Sequence, residues 1–165
     1  MKLNEIVNQS EIKEMDISSG SGGPAARLSN FSPHPFVVDG MPCNSMEGFL
    51  QSLKFKNPEM QKEVCKLVGS KAKFKGKKKK WWRDQTLWWR GNSIDRRSKE
   101  YQGLLDMAFD ALAKNTKFQK TLLSTGNAIF THSIGKNDEL RTVLTTREFV
   151  SRLTKIRKRL QDKIT

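Results

Sequence analysis

The stretch from Leu28 to Phe55, LSNFSPHPFVVDGMPCNSMEGFLQSLKF, constrains the fold more than any other part of the chain. Pro33 and Pro35 make the entry extended, because each ring locks its own φ and restricts the residue before it. Phe36-Val37-Val38 is a β-type apolar run, and Asp39-Gly40 is a turn signal that closes it. Asn44 or Ser45 then caps a helix, with Glu47 in its first turn. At about 100° per residue, Met46, Phe49, Leu50 and Leu53 fall on one side of that helix. Glu47, Gln51 and Lys54 fall together on another, at i, i+4 and i+7. An acid, an amide and an amine thus stand in line on a helix whose other face is anchored in a core. Spacing alone does not separate this arrangement from an ordinary solvated face, which is the default for charge.

The chain has 165 residues, a length that fits one domain with a core of its own. Its net charge of +14 is the outlying property. Such a charge favours polyanionic partners, meaning nucleic acid or phosphorylated ligands, and says nothing about fold. Cys43 and Cys65 form no CxxC pair, and no Cys/His cluster has zinc spacing, so both read as free thiols in a reducing compartment. A nucleophilic role for Cys43 lacks a base, since only His34 is near it in sequence. The N-terminus lacks an apolar signal region, and no apolar run approaches the roughly 20 residues of a membrane span. A cytoplasmic protein with no membrane partner is expected.

Residues 1–17 carry scattered apolar positions and can form a short helix, while SSGSGGP at 18–24 reads as a flexible linker. The expected division is an appendage over 1–24 and a domain over 25–165. Asn57, Pro58 and Gly69 bound a helix over 57–69. Further helices are expected over 98–114 and 116–125, with a short strand at 128–130. A capping box, Thr145-x-x-Glu148, opens the last helix, whose basic face reads as Arg147, Arg152, Lys155, Arg157, Lys158 and Arg159. The sum is a helix-rich α+β domain with a small β-sheet.

Residues 71–90 read KAKFKGKKKKWWRDQTLWWR. Lysine runs hold phosphates without regard to sequence, and tryptophan faces stack on bases. Lys77, Lys78, Lys79 and Lys80 are candidate nucleic-acid contacts, though the same run also suits a solvated loop. Trp81-Trp82 and Trp88-Trp89 lie seven apart, so one member of each pair can share a helix face and be core.

Ser29-Asn30-Phe31, the Pro-Phe strand, Asp39-Gly40, Ser45-x-Glu47, Gln51 and Lys54-Phe55 resemble the signature of the YbiA-like family, also called NADAR for its association with NAD and ADP-ribose. Leu122-Leu123-Ser124-Thr125-Gly126-Asn127-Ala128 is similar to a second segment of that family. Together the blocks span roughly residues 27–157. The resemblance implies a YbiA-like fold and an N-glycosidase that cleaves a ribose C1–N bond and needs no cofactor. It implies two substrate classes. One is ADP-ribose on guanine of DNA or RNA, which would make an ADP-ribosyltransferase toxin the functional counterpart. The other is a ribosylamino-pyrimidine intermediate of riboflavin synthesis.

Positive charge develops at the anomeric carbon, the leaving amine needs a proton and water needs a base. Glu47 takes that acid/base role. Lys54 either holds a phosphate or hydroxyl, or forms a Schiff base with C1, which requires a partly neutral amine. Under the same resemblance Ser29, Asn30 and Phe31 meet ribose or base, Arg27 meets a phosphate, and Gln51 and Asn127 complete the substrate site. A Trp of the block lines the pocket, with Trp82 and Trp89 as candidates. Two positions depart from the family pattern. Asn127 stands where Asp is common, and His132 to Asp138 replace an acid followed by Trp-Gly. His132 then orients substrate or serves as a second acid/base, and Asp138 is a candidate for the missing carboxylate. The +14 charge favours modified nucleic acid over a small metabolite. A non-enzymatic nucleic-acid-binding module, with an inert Glu47 face, remains the other class of reading.

Overall fold

The computed structural model describes residues 13–164. The order along the chain begins β1 (Glu14–Asp16), α1 (Gly23–Arg27), β2 (Phe36–Val38), β3 (Met41–Cys43), α2 (Met46–Ser52), α3 (Pro58–Cys65) and α4 (Gly69–Lys77). A 3-10 turn at Trp81–Arg83 leads to β4 (Thr86–Trp89) and β5 (Asn92–Asp95). Then follow α5 (Lys99–Leu112), α6 (Thr116–Ser124), β6 (Ile129–Thr131) and α7 (Thr146–Ile164). The helix-rich α+β class expected from the sequence is the one found. Instead of one small sheet there are three two-stranded ones: β1 with β6 in parallel, and the antiparallel hairpins β2–β3 and β4–β5. Among the described residues no helix is long and apolar enough to cross a membrane.

Local chemistry sets the helix starts. Ser45, Asn57, Ser98 and Asn115 each accept a hydrogen bond from the backbone N–H three residues on, satisfying a donor the helix itself leaves orphaned. The capping box at α7 closes both ways. Thr145 N donates to Glu148 Oε1 at 2.7 Å, and Glu148 N donates to Thr145 Oγ1 at 3.0 Å. Glu148 also takes both guanidinium branches of Arg96, which is fully buried.

The core runs between α2, α5 and α7. Phe49, Leu53, Tyr101, Leu105, Phe109, Phe149 and Leu153 are its buried centre. Close approach positions α2. A Cβ on Gly48 would stand 2.6 Å from the Leu67 carbonyl and 2.9 Å from that of Cys65, so only glycine lets α2 lie on the end of α3. Ser45 Oγ and Asn44 Nδ2 donate to Leu67 O and Lys66 O and fix the same junction.

Four expectations change. Within the appendage expected over 1–24, the described residues join the fold on both sides of the linker expected at 18–24, and its end is helical. Met15 pairs with Phe130 in β1–β6, Ile17 is fully buried, and Gly23 opens α1. A short helix within 1–17 largely falls outside the described residues, and 14–16 is strand. The helix expected over 57–69 ends at Cys65, and a second helix, α4, begins at Gly69 with φ +57°. Arg157 is not on the solvated face of α7: it is buried, donates to Thr125 Oγ1 at 2.9 Å and lies 4.2 Å from the Phe130 ring centroid.

Candidate active site

Glu47 sits in the first turn of α2, where the capped N-terminus holds it in place. Its backbone N–H donates to Asn30 O at 3.0 Å, so the Ser29–Phe31 turn is docked on the helix end. Phe31 N donates to Ser29 Oγ at 3.2 Å, which sets the turn. Phe31 also reaches α4, lying 3.9 Å from where a Cβ of Gly69 would be. One turn along α2, Gln51 Nε2 donates to Glu47 Oε1 at 2.8 Å. The helix ends at Ser52, so Lys54 lies in the turn after it rather than on the helix. Its N–H donates to Gln51 O at 3.2 Å.

α4 covers this face. Ala72 and Gly76 are buried, and a Cβ at 76 would fall 1.9 Å from Gln51 Oε1 and 3.1 Å from Lys54 Cδ. Lys73 is three residues before Gly76 and four after Gly69, so it projects on the helix flank between those two contacts. It is exposed, and its charge acts on both Glu47 and Lys54. Sequence reasoning missed it, because it read the region as a lysine run rather than a helix. The signal available was the pair of small residues, Ala72 and Gly76, at i and i+4.

The electrostatics push the acid and the amine in opposite directions. Burial raises the Glu47 carboxyl above its ordinary range. The Gln51 hydrogen bond and the charges of Lys54, Lys73 and His132 recover only part of that. Burial lowers the Lys54 ammonium; Glu47 opposes the fall and Lys73 adds to it. The result is a carboxyl that keeps its proton to higher pH, and an amine that loses one at lower pH, than either would in water. Glu47, Gln51, Lys54 and Lys73 are thereby brought together.

The other candidates separate into two groups. His132 is near enough for its charge to reach Glu47. Its Nδ1 lies 2.7 Å from Ile17 O and, since a carbonyl only accepts, carries the proton. Its ring stands edge-on to Phe149 at 5.1 Å, and it lines a cleft of about 510 Å³ with Asn137 and Arg147. Arg27 is exposed, and its carbonyl accepts from His34 Nε2 at 2.7 Å. Asn127 is exposed in the turn between α6 and β6, and the Thr125 beside it serves the Arg157 anchor. Asp138 is exposed in a loop, with its Oδ2 3.8 Å from Arg141 Nε.

Trp89 is corrected from ligand contact to core. It is 7% exposed, packs edge-on to Phe49 at 5.3 Å, and donates its Nε1–H to Asp39 Oδ2 at 2.9 Å. Trp82 is 50% exposed on the 3-10 turn. Trp88 and Trp89 belong to a hairpin rather than to a helix face shared with Trp81 and Trp82. Lys77 ends α4, and Lys78 and Lys80 are exposed beyond it. Lys79 is exposed too, with its Nζ 4.9 Å from the Phe55 ring centroid. Cys43 and Cys65 are both buried, and their shared environment holds the Cys43 thiol well above its ordinary range, which disfavours a thiolate nucleophile. A second cleft, of about 630 Å³ between α5 and α7, contains none of the candidate residues.

The family model described as bacteriophage protein GP30.3 matches residues 22–158. An uncharacterized 17.1 kDa protein of the Gp30-rIII intergenic region of Enterobacteria phage T4 is 35% identical over 152 residues, covering 88% of this chain and 98% of that one. Among solved structures, the NMR structure of the E. coli protein YbiA matches with a TM-score of 0.56 at 16% identity. That match covers 94% of this chain and 92% of YbiA, and at such identity the likeness is one of fold. The YbiA-like fold expected from the sequence blocks is therefore the fold observed.

Proposed function

The chain belongs to the bacteriophage protein GP30.3 family, and from that premise we propose that it is an N-glycosidase that removes ADP-ribose from guanine bases of nucleic acid. The observation that carries this reading is the opposite shift of Glu47 and Lys54 on one covered face. A glycosidase of this kind needs an acid that keeps its proton and a group that meets the developing cation at C1. The YbiA fold supports the reaction class. The net charge of +14 supports a polyanionic substrate over a small metabolite.

In this mechanism the lone pair of the guanine nitrogen expels the ring oxygen, which takes the Glu47 proton, and C1 is left as an iminium on that nitrogen. The neutral Lys54 amine adds to C1 and passes its extra proton to the Glu47 carboxylate. The C1–N bond to guanine then breaks, and the departing amine takes its proton from Glu47. Water hydrolyses the Lys54 imine with Glu47 as base, which frees ADP-ribose and restores both side chains. Gln51 holds the Glu47 carboxyl in register, and Ser29, Asn30 and Phe31 line the approach. His132 orients the substrate, and Arg27 and Asn127 serve its outer parts. An ADP-ribosylating toxin is the counterpart such an enzyme would reverse.

The test is mass-spectrometric detection of ADP-ribose released from a guanine-ADP-ribosylated oligonucleotide. Release by the wild type, and about 10²–10⁴-fold slower release by Glu47→Gln, is expected. If wild type releases nothing from it but cleaves a ribosylamino-pyrimidine, the substrate assignment falls and the reaction class stands. If it cleaves neither, the glycosidase reading is overturned.

A further inference from the structure

Helix α4 has two unlike faces. Gly69, Ala72 and Gly76 turn inward, onto Phe31, Gln51 and Lys54. The outward face and the turn beyond carry Phe74, which is 67% exposed, and Trp82, which is 50% exposed. From Gly69 to Arg83 there are seven lysines and one arginine and no acidic residue. Among the described residues, none of these eight forms a salt bridge.

Single exposed apolar residues are ordinary on protein surfaces. Here two large aromatics stand among unneutralised cations, and that combination narrows the partner. An apolar protein surface would bury those lysines without compensation. A lipid surface calls for a broad apolar face beside the charge, and α4 offers one phenylalanine. Phosphates answer the lysines, and flat π faces answer the aromatics. A duplex keeps its base faces stacked away, whereas an unpaired strand presents both groups at once.

We propose that the outer face of α4 and the turn after it bind single-stranded nucleic acid, with Phe74 and Trp82 stacking on bases and the lysines between them holding phosphates. This deepens the reading above, which makes modified nucleic acid the substrate, by fixing the strandedness and the path. The strand runs past Lys73, which is adjacent to Phe74 and whose charge reaches Lys54. A base displaced from that strand enters beside Glu47.

Fluorescence anisotropy with a labelled unmodified oligothymidylate, and with a duplex of equal length, tests it. Wild type binds the single strand more tightly than the duplex, and raised salt weakens binding. The substitutions Phe74→Ala and Trp82→Ala change exposed side chains and leave the fold intact. Each weakens single-strand binding by roughly 5- to 100-fold, the loss of one stacked base. Equal or tighter duplex binding, or unchanged affinity in the double variant, overturns the proposal. Release of ADP-ribose from a modified mononucleoside separates it from the proposed function. Strand binding with no release from either the mononucleoside or the modified oligonucleotide sinks the function and leaves the surface. Release without strand binding does the reverse.

Discussion

Gln51 and Gly76 leave no room for a methyl group between them. A Cβ at position 76 would stand 1.9 Å from Gln51 Oε1, on an amide whose nitrogen already donates to Glu47. The missing side chain lets α4 close over the acid and the amine. Removing water from that face is what moves both groups off their ordinary protonation ranges.

Gly76→Ala brings two opposed effects. Alanine favours a helix interior by about 1 kcal/mol over glycine, while overpacking costs about 1–3 kcal/mol. With Gln51 in place the clash dominates, so thermal unfolding shifts to lower temperature. In a Gln51→Ala background only the approach to the flexible Lys54 side chain remains, at 3.1 Å from Cδ, and the same change stabilises. Equal signs in the two backgrounds would mean that the contact is not rigid.

Glu47→Gln lowers ADP-ribose release by about 10²–10⁴-fold, the usual share of a positioned acid/base. It also stabilises the fold at neutral pH. The folded Glu47 carboxyl is raised by burial, so wild type carries its full stability below the unfolded value of about 4.3 and loses some as pH rises through the folded one. Unfolding temperatures of both proteins in acid and in mild alkali check this. A variant gain confined to acid would contradict it.

Lys73→Ala moves the pH profile of release. Lys73 helps lower the Lys54 ammonium, so its removal raises that group. The limb of the profile that reports neutral Lys54 shifts to higher pH. Trapping with cyanoborohydride should label Lys54 in both proteins, less in the variant at neutral pH. An unmoved limb would leave Lys73 with binding alone.

Glu148→Ala strands the fully buried Arg96 guanidinium, and loss of one partner of a buried pair costs about 3–5 kcal/mol. Burial works against the Glu148 carboxylate, but hydrogen bonds from Arg96, Gln102 and the Thr145 N–H outweigh it and hold the group below its ordinary range. Its contribution is present above about pH 4.3 and lost as pH falls through the folded value. Glu148→Gln should therefore unfold at an acid midpoint that depends less on pH than that of wild type, as circular dichroism would record.

What was legible in the sequence was local. Ser45, Asn57 and the Thr145–Glu148 box act on backbone groups three residues away, so their partners lie within the same short window. The Glu47–Gln51 bond is likewise an i, i+4 contact. What was hidden depends on distant neighbours. α4 has few apolar residues, and Ala72 and Gly76 matter only against Gln51 and Lys54. The β4–β5 hairpin turns through Arg90 and Gly91, both at positive φ, without the Asn-Gly or Asp-Gly that would announce it. Trp89 took its place in the core through Phe49 and Asp39, 40 and 50 residues earlier.

The parallel pairing of β1 with β6 carries a consequence for biosynthesis. Glu14 lies opposite Ile129, so β1 leaves the ribosome long before its partner exists. At roughly 5–20 residues per second, it waits on the order of ten seconds with its edge unpaired. Ile17, whose carbonyl orients His132, waits with it. The helices between can nucleate as they emerge, but the domain becomes whole only when nearly all of the chain has been translated.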